Sequence, residues 1–318
     1  MQLTSQLASL RPEHGTLLTI GVFDGVHLGH QHLVRTLLRR ASQQGLLSGV
    51  VTFAYHPRSV LYPELKLGRL TTIEERSRLL RDLGVNLILP IAFTAEIAAM
   101  PAREFVIALI RYLRMEGLVV GPNFALGKNR EGDVRMLERL GRELGFSVEV
   151  VEPLKMHETL ISSTAIRSAL AAGDLKAANR LLGRYFTLAG QVVGGRERGQ
   201  ELGYPTANIA VDAEQALPAD GVYATLIHVA NEIYPSATNI GRRPTFDDGE
   251  HTIEAFIMGF GGNIYGQKVT LQLVERLREE RKFPTVDDLV TQLGRDVAEA
   301  KEILKEALVG VRRSGSKT

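Results

Sequence analysis

Apolar residues in the first half of the chain fall into short runs, and stretches with helical periodicity separate these runs. The runs typical of strands are Leu17–Phe23, Val50–Phe53, Val85–Pro90, Leu118–Gly121 and Val148–Val151. Helical stretches such as Leu33–Ala41 and Glu104–Arg114 lie between them, and Thr72 with Glu75 forms a capping box. This alternation predicts a parallel sheet with helices on both faces.

The pattern changes after a helix predicted from Asp174 to Leu182, which Gly183 is expected to end. Strand-like runs then follow with glycine-containing turns between them, at Val222–Val229, Thr252–Phe260 and Val269–Leu273. Only the stretch from Thr285 to about Leu308 is convincingly helical in this half. We therefore predict an α/β, doubly wound, Rossmann-like domain over residues 1–184. A small β-barrel or sandwich with a C-terminal helix is predicted over residues 185–318.

Composition is that of an ordinary soluble protein, with 44% hydrophobic and 23% charged residues. The net charge of +2 is small and the charges are scattered, so neither a nucleic acid nor a membrane is an expected partner. The absence of cysteine excludes disulfides, thiolate nucleophiles and cysteine-ligated metals. No secretory signal and no membrane-length apolar stretch is visible, so we expect a cytoplasmic enzyme.

The segment Gly21–His30 follows a strand and opens a helix, where free backbone N–H groups favour an anion. Its glycines allow the backbone to approach a phosphate closely. His27 and His30 are three residues apart, so on a helical turn they share a face and can donate hydrogen bonds to an attacked α-phosphate. The alternative is a purely polar cap, which is what we expect of His32.

Gly21–His30 resembles the His-x-Gly-His signature of nucleotidyltransferases. At full length it resembles the N-terminal module of bacterial bifunctional riboflavin kinase/FAD synthetases. Three more segments are similar to motifs of that family in the same order: Thr52–Pro57, Val120–Gly127 and Ile161–Arg167. Tyr55 stands where proline is more usual, and Asn123 stands where aspartate is often found. The resemblance implies an FMN adenylyltransferase domain.

The residues that the resemblance nominates for binding ATP are Gly21, Phe23, Asp24, Gly25, Gly29, His56, Asn123, Ser162, Ser163 and Thr164. Arg167 lies one turn into a helix, where its guanidinium can clamp the β- and γ-phosphates. Asn123 can hold Mg²⁺ or a ligand hydroxyl, and His56 can contact phosphate or simply end a strand. The hydroxyl residues from 162 to 164 also suit a structural role as helix caps.

The second half contains no P-loop motif, so phosphoryl transfer there needs another phosphate-binding geometry. The segment Gly194–Asn208 has four glycines and a basic pair, and can close over phosphates. Thr206 and Asn208 are two residues apart, so in extended backbone both point to one side and can share a Mg²⁺ ion. The alternative is a long surface hairpin with a proline turn.

Gly195–Asn208 resembles the riboflavin kinase signature, including its Pro-Thr-Ala-Asn core. Gly221–Ala224 and Asn239–Phe246 are similar to further segments of that family, as are Tyr265-Gly266, Leu277-Arg278 and Lys282-Phe283. The binding residues that this resemblance implies are Gly195, Arg198, Gly199, Gly203, Pro205 and Asn239, with Thr206 and Asn208 at the metal.

Glu254 is the expected catalytic base. Strand alternation puts it on the face that carries Phe256 and Met258. A carboxylate on such a face either pairs with an arginine or is desolvated so that it can accept a hydroxyl proton. The resemblance implies the catalytic role, although the family often shows histidine in place of Phe256 and aspartate in place of Gly259.

The resemblance covers nearly the whole chain and implies a bifunctional enzyme. It would use ATP and Mg²⁺ to phosphorylate riboflavin to FMN with Glu254, and then adenylylate FMN to FAD with His27, His30 and Arg167. One alternative is another adenylyl- or cytidylyltransferase in the first domain. A second is a monofunctional enzyme in which Tyr55 or Asn123 has cost one activity. A third is a flavin carrier or a riboflavin-responsive regulator, although no DNA-binding motif is visible.

Overall fold

The computed structural model describes residues 3–8, 10–55, 57–62, 64, 67–156, 159–195, 202–242 and 251–315. The chain divides into two compact units, Met1–Ser163 and Thr164–Thr318. The predicted boundary after residue 184 stays a prediction. Among the helices that the structure describes, none combines the length and the apolar character that a membrane span requires.

The strands of the first unit are β1 Thr16–Gly21, β2 Leu47–Phe53, β3 Leu87–Ile91, β4 Met115–Val120, β5 Ala125–Leu126, β6 Gly132–Asp133, β7 Ser147–Val150, β8 Lys155–Met156 and β9 Thr159–Leu160. Its helices are α1 Leu3–Ala8, α2 Leu28–Gln44, α3 Pro57–Leu61, α4 Ile73–Asp82, α5 Ala95–Ala99, α6 Ala102–Leu113 and α7 Val134–Leu144.

Five of these strands form a parallel sheet in the order β3-β2-β1-β4-β7. On one face Leu18 and Val120 belong to a core that includes residues of α1, α6 and α7. On the other face Leu17, Val50 and Val119 pack with residues of α2 and α4. Strands that are buried on both faces have continuous apolar sequences, which is why the sequence pattern identified them. The predicted doubly wound α/β fold is confirmed.

The second unit contains most of α8 Ser163–Ala171, then α9 Leu175–Leu182 and a long C-terminal helix, α10 Val286–Gly315. Its strands are β10 Phe186–Val193, β11 Thr206–Val211, β12 Gly221–Val229, β13 Glu232–Arg242, β14 His251–Ile257 and β15 Lys268–Arg278.

These six strands close into an antiparallel barrel in the order β10-β11-β14-β13-β12-β15, and β15 pairs back with β10. In β14 the residues Ile253, Ala255 and Ile257 are buried inside the barrel, whereas Glu254 and Phe256 are half-buried on its outer face. Residues of α10 pack against the outer face of β12 and β13. The predicted barrel with a C-terminal helix is confirmed, and the sandwich alternative is wrong.

Strand β13 has no apolar alternation in its sequence, and the barrel interior explains why. Ser236 and Thr238 are fully buried there and face Thr225 of β12. The Thr225 hydroxyl lies 2.5 Å from the Ser236 hydroxyl and 2.6 Å from that of Thr238. Hydroxyl groups that satisfy one another can replace apolar side chains inside a core. The sequence pattern therefore did not identify this strand.

A buried ion pair fixes the end of β15 to α10. Arg278 donates to Asp296 from Nε at 3.0 Å and from Nη2 at 2.7 Å. The Asp296 side chain is only 3% exposed, and Gln292 donates a further hydrogen bond to it. Two residues beyond Arg278, Glu280 accepts a hydrogen bond from the Asn239 side chain of β13.

Replacing Asp296 is expected to destabilise the second unit. In Asp296→Asn the guanidinium of Arg278 would lose its charged partner at a largely buried position, which costs about 3 kcal/mol. Glu302→Gln on the same helix is the matched control, because the Glu302–Lys305 pair is exposed and is expected to contribute far less. Calorimetric unfolding of the full chain compares the two variants. Equal effects would contradict the structural role assigned to the Arg278–Asp296 pair.

Candidate active sites

The carboxyl ends of β1, β2 and β4 meet at one edge of the parallel sheet. Three of the predicted motifs lie at or just beyond these ends, beginning at Gly21, Thr52 and Val120. The chain passes from β1 to β2 and β3 on one side, and then continues with β4 and β7 on the other. The edge between β1 and β4 is therefore a topological switch point, where open α/β sheets bind ligands.

A tight turn from Val22 to His27 joins β1 to α2. Phe23, Gly25 and Val26 have φ angles of 51°, 83° and 38°, all in the left-handed region. Glycine accepts this conformation readily, but phenylalanine and especially a β-branched valine are strained by it. Such strain persists only where surrounding contacts impose it, and it is common at functional sites.

The structure brings His27 and His30 together, as their spacing predicted. Their rings stack with centroids 3.6 Å apart. His27 caps α2, because its Nδ1 accepts a hydrogen bond of 3.3 Å from the backbone N–H of His30. Neutral His27 therefore carries its proton on Nε2, which can donate to a ligand. A Cβ at Gly29 would lie 3.1 Å from both the His27 ring and the Ile161 carbonyl oxygen, so glycine leaves room for this arrangement.

The environment of His30 keeps its ring uncharged. Burial, then the neighbouring His27 and the Arg76 guanidinium, hold the pKa of His30 well below the usual 6.5. The Phe23 ring also packs against His30, with centroids 5.1 Å apart. Near pH 7 His30 is thus a neutral imidazole, which can act on an anion as a hydrogen-bond donor but not as a full positive charge.

Asp24 is buried, and its carboxylate faces its own chain. It accepts hydrogen bonds from the backbone N–H groups of Leu70 and Thr71, each at 3.0 Å, and from the Thr71 hydroxyl at 3.2 Å. Arg76 lies 3.6 Å from the same carboxylate. This geometry supports a role for Asp24 in shaping the turn, while the predicted contact between Asp24 and ATP stays a prediction.

The other residues predicted for the first site are spread along the motifs. A Cβ at Gly21 would lie 3.1 Å from the Phe23 ring. The Ser163 hydroxyl donates to the Asp24 carbonyl at 2.9 Å, which links the fourth motif to the first. Asn123 is exposed in the turn that follows β4. His56 lies outside the described residues.

The fourth motif enters a helix earlier than predicted. Helix α8 begins at Ser163, so Ser163 and Thr164 lie in its first turn and only Ser162 precedes it. Ser162 is half-buried, and Thr164 is exposed. Arg167 is half-buried in α8, within the second compact unit. The role predicted for Arg167 stays a prediction.

A second set of predicted residues lies side by side on the outer face of the barrel. Glu254 of β14 is directly opposite Asn208 of β11 on one side and Asn239 of β13 on the other. Thr206 is two residues from Asn208 and opposite Phe256, so it shares the same face. Opposite residues of antiparallel strands have Cβ atoms about 5 Å apart, which is within reach of polar side chains.

Glycines shape the space around the row formed by Thr206, Asn208, Glu254 and Asn239. A Cβ at Gly195 would overlap the Asn208 amide, so a larger residue there would displace the Asn208 side chain. Gly203 has a φ of 80°, in the left-handed region, and Pro205 is exposed just before β11. The Tyr204 ring packs edge-on against Phe256 with centroids 5.3 Å apart. Arg198 and Gly199 lie outside the described residues.

Glu280 adds a second carboxylate beside this row, and the sequence interpretation missed it. The Asn239 amide donates to Glu280 at 3.3 Å, and a Cβ at Gly241 would overlap the Glu280 carboxylate. Glu280 lies between two segments that the family resemblance already included. Its partner Asn239 lies 41 residues away in the chain, so no local sequence pattern reveals the contact.

The sequence left two alternatives for Glu254: an ion pair with an arginine, or a carboxylate that can accept a hydroxyl proton. Among the described residues, no arginine or lysine forms an ion pair with it. Within the same described ranges, no group of three or more histidine, aspartate or glutamate side chains could hold a metal ion. In the part of the chain that the structure describes, the Glu254 carboxylate is thus flanked by the side-chain amides of Asn208 and Asn239.

Two family models match this chain in succession. The FAD synthetase model matches residues 10–165, and the riboflavin kinase model matches residues 182–304. A bifunctional riboflavin kinase/FMN adenylyltransferase from Pseudomonas fluorescens is 38% identical over 95% of this chain and 98% of its own length. The protein of the same description from Escherichia coli K12 is 35% identical over 92% of this chain and 94% of its own length.

A solved structure is also similar along most of the chain. It is described as a macrolide-efflux protein from Streptococcus pneumoniae, and it is 32% identical with a TM-score of 0.85. The similarity covers 91% of this chain and 95% of that one. Both family models and the full-length relatives agree with the two units of the fold. The chain belongs to the bifunctional riboflavin kinase/FMN adenylyltransferase family.

Proposed function

We propose that this chain makes FAD from riboflavin in two steps. The second unit transfers the γ-phosphoryl group of ATP to riboflavin, which gives FMN and ADP. The first unit then transfers the adenylyl group of a second ATP to FMN, which gives FAD and pyrophosphate. The observation that carries the proposal is that one chain holds two chemically different candidate sites, each within the match of its own family model.

Glu254 is the proposed base of the kinase step. It takes the proton of the terminal ribityl hydroxyl while the hydroxyl oxygen attacks the γ-phosphorus and ADP leaves. The lack of an ion-pair partner among the described residues supports this role, because a paired carboxylate would be a weaker base. Asn208 and Asn239 flank Glu254 across the barrel strands and can orient the reacting hydroxyl.

The donors around Glu254 fit a magnesium ion that arrives with ATP. Thr206 supplies a hydroxyl oxygen and Asn208 an amide oxygen on one face of β11, and Mg²⁺ prefers oxygen ligands. Neutral donors alone would hold the ion weakly, so phosphate oxygens would complete its shell. Bound there, Mg²⁺ would neutralise charge on the transferred phosphoryl group. Gly195, Gly203 and Pro205 would let the loop before β11 approach the phosphates.

The adenylyl step needs donors more than it needs a base, because the FMN phosphate is already a good nucleophile. The backbone N–H groups at the start of α2 and the Nε2–H of His27 would face the α-phosphate of ATP. His30 would donate as a neutral imidazole. Arg167 is proposed to stabilise the departing pyrophosphate. We also propose a cytoplasmic location, because both steps consume ATP.

The direct test is an incubation of the full chain with riboflavin, ATP and Mg²⁺, followed by separation of riboflavin, FMN and FAD over time. The proposal predicts that FMN appears first and FAD follows. Accumulation of FMN alone would mean that the first unit serves another nucleotide or is inactive. No conversion, together with tight flavin binding, would favour a carrier protein instead.

Replacing the proposed base should separate the two activities. Glu254→Gln keeps the size of the side chain but removes the proton acceptor, so FMN formation from riboflavin is expected to fall about 100-fold or more. FAD formation from added FMN should be unchanged. Glu232→Gln, at the start of β13 and exposed, is the matched control. Retention of full kinase activity in Glu254→Gln would rule out this base.

The neutral state of His30 predicts a pH-dependent stability. Its pKa in the folded chain lies below 6.5, so the unfolded chain binds the proton more readily. The stabilising effect of burying neutral His30 is complete above about pH 6.5 and is lost as the pH falls below that value, at up to about 1.4 kcal/mol per pH unit.

Calorimetric unfolding of the full chain at pH 7.5 and pH 5.5 measures this effect. His30→Gln should reduce the loss of stability at the lower pH, because it removes the titrating group. His14→Gln, at an exposed position, is the control and should lose stability like the unmodified chain. An unchanged pH dependence in His30→Gln would contradict the neutral state assigned to His30.

A further inference from the structure

We propose that Arg76 is a positioning residue for adenylyl transfer, because it holds the strained turn between β1 and α2 in the shape that receives ATP. The inference rests on the proposed function of the first unit. Arg76 is not among the residues that the sequence suggested, and it lies 52 residues beyond Asp24, its partner in the turn.

Arg76 lies in α4 with a side chain only 2% exposed, and the Asp24 side chain is 4% exposed. Arginine is almost never buried to this extent unless it is paired and hydrogen-bonded. A ligand in the open edge of the sheet could not easily reach such a group. Arg76 therefore acts through its partners and does not itself contact the reacting atoms.

The guanidinium joins three parts of the first unit. Its Nη1 donates to the Phe53 carbonyl at 2.8 Å and to the Thr52 hydroxyl at 3.4 Å, at the end of β2. Its Nη2 donates to the Thr71 carbonyl at 3.5 Å and lies 3.6 Å from Asp24. One side chain thus ties the end of a central strand and the segment before α4 to the turn.

Each partner of Arg76 in turn fixes one point of the turn. The Thr52 hydroxyl donates to the Val22 carbonyl at 2.9 Å. The Thr71 hydroxyl accepts from the Gly25 N–H at 3.0 Å and also donates to Asp24. Three positions of a five-residue stretch are therefore held through groups that contact Arg76.

This network explains how the turn keeps its strained backbone. Phe23 and Val26, with φ angles of 51° and 38°, lie between and beside the anchored positions. Without the anchors, both residues would relax toward ordinary backbone angles. Relaxation would move the Phe23 ring, which packs on His30, and would turn the N–H groups at the start of α2 away from the phosphates. Arg76 also contributes to the lowered pKa of His30.

Arg76→Met in the full chain tests this role, with ATP, FMN and riboflavin as the probes. A displaced phosphate-binding turn should raise the KM for ATP in FAD formation and lower kcat/KM for ATP by about 100-fold, while the KM for FMN stays nearly constant. A merely structural role would lower the active fraction, and so kcat, without changing either KM. Riboflavin phosphorylation by the second unit of the same preparation reports on the integrity of the sample.

The matched control is Arg78→Met, two residues along the same helix. Arg78 pairs with Asp82 at 2.7 Å, but its side chain is 58% exposed, and within the described ranges it forms no hydrogen bond or ion pair with the turn. Its kinetics should be those of the unmodified chain. Arg76→Lys retains the positive charge but loses the planar set of guanidinium donors. Its kcat/KM for ATP should therefore be about tenfold higher than that of Arg76→Met, but still below that of the unmodified chain.

Two results would overturn the proposal. One is an unchanged KM for ATP in Arg76→Met. The other, if that variant does not fold, is an unchanged KM for ATP in folded Arg76→Lys, which lacks the bonds to β2 and Thr71. Absence of FAD formation by the unmodified chain would instead refute the proposed function, so the two failures are distinguishable.

Discussion

Asp24 and Arg76 lie beside each other in the interior of the first unit, and the turn at the carboxyl edge of the sheet depends on their contact. Burying two charges costs free energy, and a buried ion pair often stabilises a fold no better than apolar residues would. The pair is better explained by the backbone it fixes. Through Thr52 and Thr71 it holds a turn in which Phe23 and Val26 are strained. The geometry of His27 and His30 follows from that turn.

The barrel positions its candidate site by a different constraint. Its interior is filled by apolar residues and by mutually bonded hydroxyls such as Thr225 and Ser236, which fixes the strand register. Register alone then brings Glu254 between two asparagines on the outer face. Glu280 contacts this row through Asn239, two residues beyond the Arg278 that pairs with Asp296 of α10. A half-buried carboxylate between two amide side chains suits proton transfer from a hydroxyl.

Much of this could be predicted from the sequence, and the parts that could not have two physical causes. A few consecutive residues are enough to identify the strands that are buried on both faces and the pair of histidines. The family motifs add the candidate site residues. Strand β13 was missed because hydroxyls replace apolar side chains inside the barrel. Arg76 and Glu280 were missed because their meaning depends on partners that are distant in sequence. A charged residue in an amphipathic helix looks exposed until the fold shows that it is buried.

The central claim is that each unit carries one of the two reactions, and a complementation experiment tests it most directly. Glu254→Gln chains, altered in the second unit, and His27→Ala chains, altered in the first, are incubated with riboflavin, ATP and Mg²⁺, first separately and then mixed, and FMN and FAD are measured. Little FAD is expected from either variant alone, FMN from His27→Ala only, and FAD from the mixture. A variant that loses both FMN formation from riboflavin and FAD formation from added FMN, while remaining folded, would contradict the assignment of one activity to each unit.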